Sequence, residues 1–303
     1  MGNAKKALQM SRQFGLNLPS WSMLLGVLIM VTLSFSVSPS HPEMQPGVDR
    51  LSFVSEECRI ENRAFQPGEI LTYRIYYNWN FLWLSAGEVS FSVIPDGESL
   101  KLVADGRTYK VHEWLFKVRD KFECEIDAKS LRPISSTKMI QEGKYRLFEK
   151  NHYNFGAQQA ISERGKTRTE TEKDTIEFEG CVQDVLSVLY VARNLNYQSM
   201  NPGDAFDVSL FMDRELYPVS VKFLGKETGV KIRKQGKYDA ICLSPETQSG
   251  RVFKDGDQMK IWVTDDENFV PLMVESPISV GSIKAVLIGA KNLRHSTSLT
   301  FSD

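Results

Sequence analysis

Between Asp120 and Asp127 the chain reads DKFECEID. Phe122, Cys124 and Ile126 alternate there with Lys121, Glu123, Glu125 and Asp127. Period two of this kind fits an extended strand with one dry and one wet face, and no helix presents it. The pattern recurs. From Glu69 to Trp79 the odd positions Leu71, Tyr73, Ile75, Tyr77 and Trp79 are apolar, and the even ones include Thr72, Arg74 and Asn78. From Glu88 to Val93, Val89, Phe91 and Val93 alternate with Glu88, Ser90 and Ser92. MKIWVT, FVPLMVES and VGSIKAVLIGA add dense strand material late in the chain, with Pro271 pointing to an edge or a strand start.

Polar punctuation separates the runs: PDGES at 95–99, ADG at 104–106, QEGK at 141–144, ERGK at 163–166, RKQGK at 233–237 and KDGD at 254–257. Glycine supplies positive φ there, and Asp or Asn opens turns. The charged ERGKTRTETEKD stretch reads as a solvated hairpin. One segment breaks the rhythm. CVQDVLSVLYVARNL places Val182, Val185, Leu186 and Leu189 at helical spacing, with Asp184 early and Arg193 late as a helix dipole prefers. NPGD at 201–204 ends it. The predicted fold is mainly β: a large curved antiparallel sheet or half-barrel with one packed α-helix over 182–194. The predicted organisation is a linker at 39–63, one β-rich domain over 64–292 whose halves, 64–178 and 205–292, the helix joins, and a tail at 293–303.

The N-terminus differs. Lys5, Lys6 and Arg12 precede the apolar run WSMLLGVLIMVTLSFSV, Trp21 to Val37, and no acidic residue occurs before Glu43. A basic start followed by an apolar run is an export pattern, so residues 1–38 are expected to be a signal peptide or an uncleaved anchor. The expected location is the periplasm or outer cell envelope. Membrane contact is then expected only through this segment, if it stays uncleaved. The net charge of −1 gives no reason to expect nucleic acid or an anionic membrane surface as a partner.

Four cysteines, Cys58, Cys124, Cys181 and Cys242, allow three pairings. Cys124 and Cys242 lie on apolar alternations and read as buried small side chains, the reading preferred to a structural disulfide. The spacings match no zinc pattern. There is no glycine-rich phosphate loop and no Gly-x-Ser-x-Gly elbow. His41 lies in the linker, His295 in the tail, and His112 and His152 stand alone in strand-like sequence. Asp265, Asp266 and Asn268 form a polar turn better than a calcium loop. Glu69 and Glu88 flank the first hairpin, as carboxylates near strand ends often do. The expectation is a non-catalytic protein without metal or cofactor.

One stretch resists this plain account. Phe81, Leu82, Trp83 and Leu84 follow one another where the first hairpin should turn through water. Burying each is worth roughly 1.5–3 kcal/mol. They either plug an open end of the curved sheet or form the lip of a site, with Trp79, for an apolar small molecule or lipid, or for an envelope protein partner.

GEILTYRIYYNW…SAGEVSFSV, VRDKFECEIDAKSLRPISS, CVQDVLSVLYVARNL and GRVFKDGDQMKIWVTDDENFVPLMVESPISVGSIKAVL together resemble an uncharacterised family of exported bacterial proteins, domain of unknown function 3108, in its Bacteroidetes-type version. The resemblance runs in order from about Ala64 to Leu287. It implies export and an architecture loosely similar to periplasmic lipoprotein-carrier folds, and it supplies no catalytic residues. Two readings follow: a periplasmic binding or carrier module for an apolar or lipid-like ligand, or a structural or interaction protein with a filled core.

Overall fold

The computed structural model describes residues 50–51, 58–79, 82–114, 116–247, 259–277 and 281–301. Among them, sixteen strands join in one sheet. In chain order these are β1 (Arg50–Leu51), β2 (Ile70–Trp79), β3 (Leu82–Asp96), β4 (Ser99–Thr108), β5 (Arg119–Asp127), β6 (Pro133–Glu142), β7 (Tyr145–Asn154), β8 (Gln159–Thr167), β9 (Glu170–Glu177) and β10 (Val182–Gln183), then α1 (Ser187–Ala192), β11 (Ala205–Met212), β12 (Glu215–Ile232), β13 (Gly236–Thr247), β14 (Lys260–Thr264), β15 (Pro271–Pro277) and β16 (Ser282–Lys291). The expected mainly β fold with one packed helix is what forms.

The sheet path runs from β11 through β16, crosses to β2 and continues to β9. The crossing is an antiparallel ladder from Ser282 opposite Asn78 to Lys291 opposite Ile70. The halves, which the helix segment links along the chain, also meet directly by strand pairing, β16 to β2. The sheet is also not purely antiparallel: β1 and β10 both pair with β11 in parallel.

Antiparallel alternation puts the β2–β3, β4–β5, β6–β7 and β11–β12 connections at one end, called here the open end. The helix, the β14–β15 turn and the start of β2 lie at the other. The inward positions of β2 to β5, such as Tyr73, Val89, Leu102 and Ile126, share one core with Phe206, Leu210 and the helix residues Val188 and Val191. Beyond β5 the sheet curls past its own beginning. Tyr153, Ala160 and Phe178 pack on Val182 and on Phe211, whose neighbours Leu210 and Met212 face the main core. Strand β11 is thus clad on both sides, and the two ends of the sheet overlap by side-chain packing.

The helix is shorter than the expected 182–194. Val182 and Gln183 are drawn into β10 by the edge of β11. Asp184 then starts the turn: its Oδ1 accepts the backbone N–H groups of Leu186 at 2.7 Å and Ser187 at 3.1 Å. Two expected turns are strand interior instead. Residues 104–106 continue β4, and 163–166 continue β8, which turns only beyond Thr167. At Gly165 a Cβ would stand 1.7 Å from the Glu170 carbonyl oxygen, so this glycine permits close backbone approach rather than a turn. His112 lies in a 3-10 turn, not a strand. Pro271 opens β15, as a strand-start proline should. The KDGD turn and the N-terminal apolar run lie outside the described residues.

Candidate functional site

The end carrying the helix is tied down at several points. Cys58 and Cys181 form a disulfide with Cα atoms 5.4 Å apart, while Cys124 and Cys242 are free and buried. The bridge ties part of the expected linker to the β9–β10 connection. Arg193, which caps α1, turns inward rather than serving only the helix dipole. Its guanidinium donates to both oxygens of Glu69, at 2.5 and 2.9 Å, and to the Asn268 carbonyl at 2.9 Å. Phe65 and Tyr190 flank it with their rings. Glu69 is fully buried and Arg193 nearly so. Burial works against the Arg193 charge, but Glu69 outweighs it and holds the pKa above the ordinary guanidinium value.

The 293–303 tail adds further ties there. Arg294 donates to the Asn62 carbonyl, Asn268 donates to the His295 carbonyl, and Leu299 and Phe301 pack on the core. Beneath the helix, between the disulfide, Val188, Val191, Leu195 and Phe206, the space is about 30 Å³. That admits a water molecule or two, whereas ligand pockets run to roughly 300–1,000 Å³.

The open end carries the apolar stretch singled out in the sequence. Phe81 lies outside the described residues, as do the side chains of Trp79 and Leu82. Strands β2 and β3 extend the hairpin so far that Trp79 pairs with Leu82. As consecutive residues of β3, Trp83 and Leu84 point to opposite faces of the sheet. Trp83 packs edge-on against Tyr76 at 5.4 Å, with Arg233 4.6 Å and Lys284 5.0 Å from its ring centre. Arg233 comes from the tip of the β12–β13 hairpin, which bends at register shifts after Phe223 and Glu227. Leu84 is 43% exposed. The stretch therefore divides: Trp83 is structural, while Leu84 lies at the rim.

Sequence reasoning missed the polar interior of β5 to β8. On these strands several inward positions carry charges. Lys138 donates to Asp213 in the β11–β12 turn at 2.5 Å. Arg164 donates to the same Asp213 oxygen at 3.0 Å and to Glu149 at 2.9 Å. Asn151 links Glu149 to Ser136, whose hydroxyl meets that of Tyr153 at 3.1 Å. Burial opposes ionisation of Asp213, but Lys138 and Arg164 outweigh it and hold its carboxyl below the usual range. Two cations match two carboxylates. With its charges paired among themselves, the group offers no free base or nucleophile, and it fastens the overlapping wall of the sheet to β11–β12. Asp213 and Arg214 both take positive φ, 54° and 67°, which points this tight turn at the wall.

Nearer the rim, Asp120 and Glu142 are buried as hydrogen-bonding neighbours. Asp120 also accepts the Gln141 backbone N–H at 2.9 Å. Burial raises the Asp120 pKa to about 6, against the pull of these hydrogen bonds. Two carboxyl groups bond to each other only by sharing a proton. A signal existed in the sequence: Asp120 is in phase with Phe122, Cys124 and Ile126, on the dry face of β5. Among the described residues no three His, Cys, Asp or Glu side chains converge as metal ligands.

Comparison with known proteins fits this architecture. The model of the family described as "Protein of unknown function (DUF3108)" matches residues 72–288. The chain belongs to this family. No curated protein matches it. Among solved structures it is similar to a beta-barrel-like protein of domain of unknown function DUF1849 from Brucella abortus, with 8% identity and a TM-score of 0.52, over 77% of this chain and 100% of that one. At that identity the likeness speaks for fold alone. A candidate lipoprotein from Parabacteroides distasonis aligns over 77% of this chain and 99% of its own at 8% identity, with a TM-score of 0.28 too low to carry an argument. The DUF3108 match covers the curled sheet from β2 into β16, including the polar seam and the helix.

Proposed function

We propose that this DUF3108 protein is a non-catalytic module of the cell envelope that engages apolar, lipid-like partners at the open end of its curled sheet. The observation that carries the reading is the contrast between the two ends. The helix end is tied down by a disulfide, a buried ion pair and the C-terminal tail, with about 30 Å³ beneath the helix. The open end presents Leu84, Val111, Trp114 and Tyr145 to solvent, and the helix end Ile70 and Ile94. Large apolar side chains gathered on a surface mark contact sites more often than chance. The charged side chains of the seam, Lys138, Arg164, Asp213 and Glu149, are spent on one another.

A second reading, a filled-core structural protein without a ligand, is favoured by the tight space under the helix. Organic extraction of the purified protein followed by mass spectrometry separates the two. A stoichiometric lipid, lost in Leu84→Ser without loss of thermal stability, supports engagement of a lipid at the rim. Absence of any bound lipid, with Leu84→Ser unchanged in every binding assay, leaves the structural reading.

A further inference from the structure

At the open end two segments form one surface. The first is the connection between β4 and β5, which contains the 3-10 turn Lys110–His112. The second is the β6–β7 turn. They are joined by the Gly143 N–H donating to the Lys117 carbonyl at 2.8 Å. At Gly143, φ is 54°, and a Cβ would stand 3.3 Å from the Phe116 ring, so the turn lies close on the connection. From this surface Val111 is 70% exposed, Trp114 66% and Tyr145 53%, although most large apolar side chains here are buried. Around them Lys117, Lys144 and Arg146 are exposed. The one acid in the connection, Glu113, is held by Arg119.

We infer that this surface docks on an anionic lipid bilayer, with Val111, Trp114 and Tyr145 entering the headgroup region and Lys117, Lys144 and Arg146 meeting lipid phosphates. This rests on the proposed lipid-facing role of the open end and names its partner. The chemistry of the patch selects the occupant. Tryptophan and tyrosine settle at membrane interfaces, where one side of the ring is dry and the polar edge is wet. Basic residues among them add attraction to an anionic surface, about fivefold in affinity each. A protein-binding patch of this kind would have its cations depleted at the centre except for arginine, whereas two of the three here are lysines. Leu84 lies at the same end of the sheet, and the Tyr109 N–H that begins the connection donates to the Ala86 carbonyl at 3.2 Å.

The test is hydrogen–deuterium exchange on the full-length chain. Vesicles of phosphatidylcholine mixed with phosphatidylglycerol are compared with vesicles of phosphatidylcholine alone. The expected result is slowed exchange at 110–117 and 143–146 on anionic vesicles, weakened by salt. The pair Lys117→Glu and Lys144→Glu should lower vesicle partitioning by about 30-fold or more. Trp114→Ser should remove the protection at 110–117 while thermal stability stays unchanged. The local readout separates this surface from any membrane contact by the N-terminal apolar run. Vesicle binding without protection of these two segments, or equal protection on uncharged vesicles, overturns the inference. A lipid co-purifying with the protein while these segments stay unprotected would overturn docking and leave the rim-ligand reading standing.

Discussion

Replacing Arg193 with Met should be among the most damaging single changes in this protein. The side chain is nearly buried, and its partner Glu69 is completely so. The variant keeps most of the volume but leaves the Glu69 carboxylate without its two charge-assisted hydrogen bonds. It also leaves the Asn268 carbonyl without its donor. Breaking one partner of a buried pair costs about 3–5 kcal/mol, because the remaining charge stays dehydrated. That is a large share of the roughly 5–15 kcal/mol that holds a domain folded. For a domain of this size it corresponds to a melting temperature lower by about 6–20 °C. The double variant Glu69→Leu, Arg193→Met removes both charges and should recover most of the loss, since apolar replacement of a whole buried pair is often nearly neutral. Urea denaturation of the wild type, both single variants and the double variant gives the full cycle. A loss below about 1 kcal/mol for Arg193→Met, or a double variant as unstable as the two single losses summed, would refute the clamp.

The Asp120 carboxyl has a pKa raised to about 6 by burial, above the ordinary 3.8 of an aspartate. A raised folded-state pKa stabilises the protonated form. Its contribution is therefore complete below the unfolded value and lost as pH rises through about 6. The stability of the wild type relative to Asp120→Asn should fall by up to about 3 kcal/mol between pH 4 and 7; parallel denaturation profiles would contradict this. Reduction, or the pair Cys58→Ser and Cys181→Ser, opens a loop spanning a sequence separation of 123. It should cost about 2–5 kcal/mol, read as a lower urea midpoint. Asp213→Asn should cost about 1–3 kcal/mol by leaving Lys138 and Arg164 short of an acceptor, whereas Glu61→Ala, at the exposed pair with Arg63, should leave the midpoint unchanged.

The alternation in residues 69–79, 88–93 and 120–127 by itself determined the fold class. Period two specifies which side chains face together, and a chain with so many such runs must build a sheet. The sequence also determined that Cys124 and Cys242 would be buried, because both sit in phase with apolar neighbours. Tertiary structure decided what pattern alone leaves open. Arg193 reads as a helix-end cation, and only the approach of β2 makes it the partner of Glu69, 124 positions away in sequence. Val182 and Gln183 read as helix, and the free edge of β11 takes them as strand. Phe81 to Leu84 read as one apolar unit, yet the arrival of Arg233 and Lys284 half-buries Trp83 while Leu84 stays exposed. The charges on the inner face of β5 to β8 look like breaks in the alternation until the curl of the sheet brings Asp213 to them. Each of these depends on which edges and faces meet across long stretches of chain, and local periodicity is silent about encounters between segments far apart.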